Sequence, residues 1–135
     1  MELPRATAHD ARPKQVCVTF DGVSSCIAAA RDAASAFLHG HAPPTQPTFH
    51  DDVLLVVSEL VTNAVRHAPG PLTLRLALLR DRIEITVRDT NPVPPAGRTP
   101  DPTGGRGWPI IQSLACDVHV IPHHDGKTVH TELAW

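Results

Sequence analysis

Apolar residues recur at three- and four-residue spacing in the middle of the chain, from about residue 49 to residue 68, and this period predicts an amphipathic helix. Thr48 and Asp51 match a capping box, with Asp in the position that usually carries Glu. A Pro-Gly-Pro run at residues 69–71 ends the helix. Its apolar positions are Val53, Leu54, Val57, Leu60, Val61, Ala64, Val65 and Ala68.

Two shorter helices are predicted on either side of this one. An Ala-rich stretch, which Ser24 or Ser25 can cap, runs to Leu38 and stops at Gly40. A short helix is expected over about residues 109–115, because the proline at its start suits the first turn.

Five segments alternate apolar and polar residues, which predicts strands that each bury one face. They cover residues 16–20, 72–78, 83–87, 118–121 and 128–133. Short links at Arg80-Asp81 and Asp125-Gly126 make two antiparallel hairpins. The sequence therefore predicts an α+β fold, a two-layer sandwich with a mostly antiparallel, mixed sheet and about three helices on one face. Residues 1–14 are expected to form a flexible tail, and residues 15–135 one domain.

Composition narrows the class of protein. The chain has 135 residues, of which 41% are apolar and 19% charged, as in a folded single domain. A net charge of -2 argues against direct binding of nucleic acid through phosphate neutralisation. We expect no membrane span and no secretory signal, and hence a cytoplasmic protein. The three cysteines lack CxxC spacing and are expected to be buried, reduced thiols, and the nine histidines to be surface residues.

Two polar residues stand out on the long helix. Glu59 and Asn63 are four positions apart, so they share one face of the helix. A carboxylate beside a carboxamide suits a divalent metal or a general base. A solvated polar face is the plainer interpretation of the same pair.

Three other segments carry candidate chemistry. Asp89 ends a predicted strand, where it can accept a ligand N–H or simply start a turn. Residues 91–104 form a loop with five prolines, typical of a functional lid or a disordered linker. The glycines of residues 104–107 precede a helix, where backbone N–H groups can approach a phosphate or merely form a flexible loop. Gly126-Lys127-Thr128 lies in a hairpin, which excludes a Walker motif.

In their order along the chain, these segments resemble the boxes of the GHKL ATP-binding superfamily, which includes DNA gyrase, histidine kinases and MutL. Residues 59–68 are similar to its N box, residues 88–92 to its first Gly box, residues 105–111 to its second, and residues 126–129 to its closing Thr strand. The resemblance covers roughly residues 15–135. It implies the Bergerat fold, and the small size resembles the RsbW-type anti-sigma factor serine kinases, including the short stand-alone ATP-binding proteins of actinobacteria.

The resemblance implies a role for each matching residue. Asn63 would coordinate the Mg²⁺ that bridges the phosphates of ATP. Glu59 would be the general base that orients a serine hydroxyl or a water.

The remaining implied contacts lie at the base and at the lid. Asp89 would accept the amino group of adenine, and Thr128 would support the adenine end. Gly105 and Gly107 would belong to the ATP lid, with Arg106 adding positive charge near the phosphates.

The implied function is a serine/threonine protein kinase that acts as an anti-sigma factor in partner switching. Its substrate would be a STAS-type anti-anti-sigma protein, its second partner a sigma factor, and a homodimer is allowed. The sequence departs from the family at Asn91, where the first box usually has Gly, and at Trp108, where Leu is usual. These departures favour the alternative, a nucleotide-binding regulatory module without kinase activity. A pure interaction domain that has lost ATP is the third hypothesis.

Overall fold

The computed structural model of the chain describes residues 14–41, 43–68, 70–91 and 107–135. These residues form five strands and three helices, of the types and in the order that the hydrophobic pattern predicts. The elements are β1 (Gln15–Phe20), α1 (Cys26–His39), α2 (Thr48–His67), β2 (Leu72–Leu78), β3 (Arg82–Asp89), α3 (Gly107–Leu114), β4 (Asp117–His123) and β5 (Gly126–Ala134). The predicted tail, residues 1–14, lies outside the described residues except for Lys14.

The strands form one sheet in the order β1-β2-β3-β5-β4. Each pairing in this sheet is antiparallel, so the parallel component that a mixed sheet would need does not occur among the described strands. Helix α2 packs against α1, α3, β3 and β5, whereas α1 contacts β1. The helices therefore cover one face of the sheet with α2 at the centre, which confirms the predicted two-layer α+β sandwich.

The core lies between α2 and the inward face of the sheet. Residues buried from α2 are Val53, Val56, Val57, Leu60, Val61 and Ala64. They meet the inward residues of the central strands, which include Leu74, Leu76, Ile83, Ile85, Val87, Val129 and Leu133. Helix α1 buries small residues at every fourth position, including Ala30 and Ala34, which lets its backbone lie close to its neighbours. This rigid central packing fixes the position of the polar residues on the flanks of α2.

Helix α1 ends before Gly40 as predicted, but the predicted N-terminal side-chain caps of α1 and α2 do not form. Helix α2 begins at Thr48 with Pro47 as its N-cap residue and without a side-chain cap bond, so the predicted capping box of Thr48 and Asp51 is wrong. The φ of Pro47 is -58°, close to the helical value that its ring imposes. Ser25 precedes α1 as predicted, but its hydroxyl makes no cap bond.

Only one cysteine behaves as the sequence predicted. Cys26 is buried on α1, and burial is the main cause that raises the pKa of its thiol, which keeps it protonated. Cys17 and Cys116 are exposed, so the prediction of burial is wrong for these two, which lie at the edges of the fold.

The outer face of the sheet carries a network of charged side chains. Glu84 and Glu132 lie directly opposite each other on β3 and β5, and ligand atoms of these residues and of His130 lie within 4.8 Å of one another. Two arginines compensate the carboxylates, because Arg82 Nη1 donates to Glu132 Oε1 (2.6 Å) and Arg75 Nη1 lies 3.5 Å from Glu84 Oε1. The carboxylates that face each other therefore have cationic partners on the neighbouring strand positions.

A close backbone contact joins the start of β5 to the end of β3. A Cβ added at Gly126 would lie well under 3.0 Å from the backbone oxygen of Asp89, with the carbonyl carbon next to it. Both contacts are to backbone atoms, which cannot turn aside as a flexible side chain can. Gly126 therefore lets β5 begin directly against Asp89.

We expect Gly126→Ala to lower the free energy of unfolding by about 1–3 kcal/mol, because the new methyl group forces the two strand ends apart. Gly40→Ala is the matched control, since the nearest atom to a Cβ there is 3.5 Å away. Urea unfolding followed by circular dichroism measures both. Equal stability of the two variants would contradict the close contact.

The pKa of Glu132 is lowered, first by the hydrogen bond from Arg82 and then by that from His130. A carboxyl whose pKa is lower in the folded state stabilises the fold above its unfolded-state pKa, and this contribution is lost as the pH falls through the folded-state pKa. Glu132→Gln should therefore lower the free energy of unfolding at pH 7 and have little effect in acid.

Urea unfolding of Glu132→Gln and wild type at several pH values between 7 and 3 tests this pH dependence. Asp125→Asn is the control, because Asp125 pairs with Arg88 at 3.2 Å while 74% of its side chain is exposed, and such pairs contribute little. An effect of Glu132→Gln that stays constant across the pH range would count against the ion pair.

Candidate functional site

Glu59 and Asn63 lie one turn apart on α2, and both are half-buried. Leu54 of the same helix lines a cavity together with four residues of α1, so its flank of α2 faces α1. At about 100° per residue, Glu59 and Asn63 lie about 140° and 180° around the helix from Leu54. The pair is therefore on the flank away from α1, while α3 also packs against α2.

Asp89 ends β3 on the inward face of the sheet, with only 3% of its side chain exposed. Lys127, directly opposite on β5, is 4% exposed, and its Nζ lies 2.8 Å from Asp89 Oδ2. The backbone N–H of Asn91 donates to the other carboxylate oxygen, Oδ1, at 2.9 Å. Both oxygens of the predicted adenine-binding carboxylate therefore have partners within the chain.

Asn91 fastens the loop that follows β3 to the end of α2. Its Nδ2 donates to the backbone oxygen of His67 at 2.6 Å, and its own backbone oxygen accepts from Lys127 Nζ at 3.0 Å. His67 lies one turn beyond Asn63, about 6 Å along the helix axis. The structure thus brings the Asp89 end of β3 to the C-terminal end of the helix that carries Asn63.

The structure does not bring Thr128 to this place. Thr128 pairs with Arg88 and Ile121, which are exposed residues of the outer face, and its hydroxyl lies 2.7 Å from His123 Nε2. Asp89 and Lys127 point to the opposite, inward face, because side chains alternate along a strand.

The predicted phosphate-binding segment is described only at its end. Gly105 and Arg106 lie outside the described residues, and Gly107 is the first residue of α3. Trp108 follows it, half-buried and packed against the core.

Lys127, the partner of Asp89, was not among the candidate residues that the sequence indicated. The alternation of β5 could have indicated its position. Val129, Thr131 and Leu133 face inward, and Lys127 lies an even number of residues from each of them, so it faces inward as well.

Comparisons with known proteins identify the family of the chain. The family described as "Histidine kinase-like ATPase domain" matches residues 24–133. Among solved structures, the RsbU and RsbW domains of Rv1364c from Mycobacterium tuberculosis are similar, with a TM-score of 0.63 and 16% identity, covering 90% of this chain and 33% of that one. No curated protein matches the chain.

Two kinase structures from Erythrobacter litoralis EL346 are also similar. The histidine kinase domain of its blue-light activated histidine kinase gives a TM-score of 0.55 at 22% identity, covering 79% of this chain and 59% of that one. A second structure of the blue-light activated histidine kinase gives 0.54 at 21% identity, covering 81% and 39%. The chain thus spans between a third and three-fifths of these structures, and at such identities the likeness concerns the fold.

No helix within the described parts of the chain is long and apolar enough to cross a membrane. The family match spans the three helices and nearly the whole sheet, including α2 and the paired ends of β3 and β5. The chain therefore belongs to the histidine kinase-like ATPase domain family of the GHKL superfamily.

Proposed function

We propose that the chain binds ATP with Mg²⁺ beside α2 and phosphorylates a serine of a STAS-type anti-anti-sigma protein, and that it acts in the cytoplasm as an anti-sigma factor. One observation carries the proposal. Asn91 joins Asp89 to the C-terminal end of α2, so a buried carboxylate lies at the end of the helix that carries Glu59 and Asn63.

The α2 end of this region fits a magnesium phosphate group. Asn63 offers a carboxamide oxygen, which is a ligand type that Mg²⁺ accepts, and Glu59 places a carboxylate one turn away. Bound Mg²⁺ supplies charge neutralisation on the phosphates. Glu59 accepts the proton of the serine hydroxyl as that oxygen bonds to the γ-phosphorus and the bond from this phosphorus to the bridging oxygen breaks, which releases ADP. The half-buried position of Glu59 keeps its carboxylate within reach of an incoming side chain.

The end of β3 can hold a nucleotide base, but Asp89 has fewer free acceptor positions there than a carboxylate without partners. A carboxylate has about four lone-pair sites, and Lys127 and Asn91 use one each, so Asp89 retains capacity to accept an amino group. Residues 105–107, with Arg106, are proposed as the lid over the phosphates. Thr128 was expected to support the adenine end. In this proposal Lys127 does so instead, because it faces Asp89 directly.

Partner switching is supported by the likeness to a chain that contains RsbU and RsbW domains. A switch of this kind requires that a STAS protein and a sigma factor compete for the chain, with affinities that differ between nucleotide states. A homodimer would provide two such sites per assembly.

A second function, nucleotide binding without phosphate transfer, is favoured by the Asp89–Lys127 pair. This pair takes up part of the hydrogen-bonding capacity of Asp89, and Trp108 packs against the core at the start of α3, where the resemblance expects leucine. A regulatory module needs only to change its conformation when nucleotide binds, and it does not need to catalyse phosphate transfer.

Asn63→Ala should abolish the part of ATP binding that depends on Mg²⁺, because the metal loses its protein oxygen ligand. Titration calorimetry of ATP with and without Mg²⁺ measures this. Thr62→Ala is the matched control, since the Thr62 hydroxyl donates back to the Ser58 carbonyl oxygen at 2.6 Å, about 100° round the helix. Unchanged Mg²⁺-dependent binding by Asn63→Ala would refute the metal role.

Glu59→Ala should abolish phosphate transfer while ATP still binds, with a loss of roughly 100-fold or more, as is typical when a general base is removed. Transfer of labelled phosphate from ATP to a STAS protein is the assay, and calorimetry verifies binding. Asp51→Ala, at an exposed carboxylate of the same helix, is the control.

The Glu59 experiment also separates the two functions. Transfer by wild type that Glu59→Ala lacks supports the kinase. Binding by wild type without transfer to any STAS protein supports the regulatory module, and loss of binding in Glu59→Ala contradicts the role of a base.

A further inference from the structure

We propose that Lys127 is a specificity-determining residue that lowers the preference of the base end for adenine over guanine nucleotides. The inference rests on the proposed nucleotide site, and it concerns which purine that site selects. It comes from an ammonium group held within the chain at 2.8 Å from the carboxylate that would read the base.

With the 6-position of the purine facing it, a lone carboxylate favours adenine over guanine. It only accepts hydrogen bonds, and adenine presents an amino donor at the ring position where guanine presents a carbonyl oxygen. Guanine would therefore place an oxygen against a negative carboxylate, without a proton between them. In a buried site this mismatch lowers the affinity for the nucleotide, because the two acceptors lose the hydrogen bonds that water would otherwise donate to them.

The Lys127 ammonium removes this mismatch. It carries three N–H donors, of which one points to Asp89 Oδ2 and one to the backbone oxygen of Asn91. Among the residues that the structure describes, the third donor has no partner. A donor thus lies beside the acceptor, and a carbonyl oxygen on the purine finds an N–H where a lone carboxylate would repel it.

The position of the ammonium is fixed by the fold. Asp89 and Lys127 are register partners on adjacent strands, and Gly126 holds the start of β5 against the Asp89 backbone. Because only 4% of the Lys127 side chain is exposed, its ammonium can replace Asp89 by water as a hydrogen-bond partner only if it moves out of the core. The ammonium is therefore held beside Asp89 while the two strands stay paired.

The test is the ratio of two dissociation constants, for Mg²⁺-ADP and Mg²⁺-GDP, measured by titration calorimetry on the same preparation. We expect the wild-type ratio to lie within about tenfold of unity, and Lys127→Thr to shift it toward ADP by about tenfold or more. Lys127→Arg, which keeps a cationic donor, should retain the wild-type ratio. Lys14→Thr, at the exposed second lysine, is the control.

A wild type that already prefers ADP by more than about a hundredfold overturns the inference, and so does an unchanged ratio in Lys127→Thr. If Lys127→Thr does not fold, the wild-type ratio decides alone. The proposed function fails separately: in that case neither ADP nor GDP binds the wild-type protein, and the inference falls with it.

Discussion

Two opposite charges lie buried side by side where β3 ends and β5 begins, and the geometry of the whole site depends on them. Little water reaches Asp89 or Lys127, since each side chain is at most 4% exposed. Removal of one partner from such a pair typically costs about 3–5 kcal/mol, because it leaves the other charge uncompensated. The pair is retained only with its full set of hydrogen bonds, and Asn91 supplies these through its backbone N–H and oxygen.

The hydrogen bonds of Asn91 also link this ion pair in the sheet to the helix layer. Asn91 also donates to the carbonyl oxygen of His67, one of the last backbone acceptors of α2, which have no partners inside the helix. The end of α2 is thus capped by the loop that the ion pair holds. A displacement of Lys127 would be transmitted to the turn of α2 that follows Asn63 through two hydrogen bonds, Lys127–Asn91 and Asn91–His67, and not through the hydrophobic core.

Much of this architecture could be predicted from the sequence. The helices and strands follow from apolar periods of 3.6 and 2, and those periods are strong because each element buries one face. The N-terminal caps could not be predicted, since Thr48 and Ser25 satisfy a pattern, whereas the first helical N–H groups donate to the backbone oxygens of Gln46 and Val23. The Asp89–Lys127 pair depends on the register of β3 with β5, a contact between segments nearly forty residues apart that no local pattern encodes.

Family membership and activity have different physical bases in this chain. The fold is set by the core of α2 and the sheet, which contains none of the proposed reacting groups. Phosphate chemistry would depend on Glu59 and Asn63, which stand on a rigid helix flank, whereas recognition of the base would depend on strand ends joined by an ion pair. Because these groups stand on different elements, which the Asn91–His67 hydrogen bond links, base preference and phosphate transfer can be changed by different substitutions.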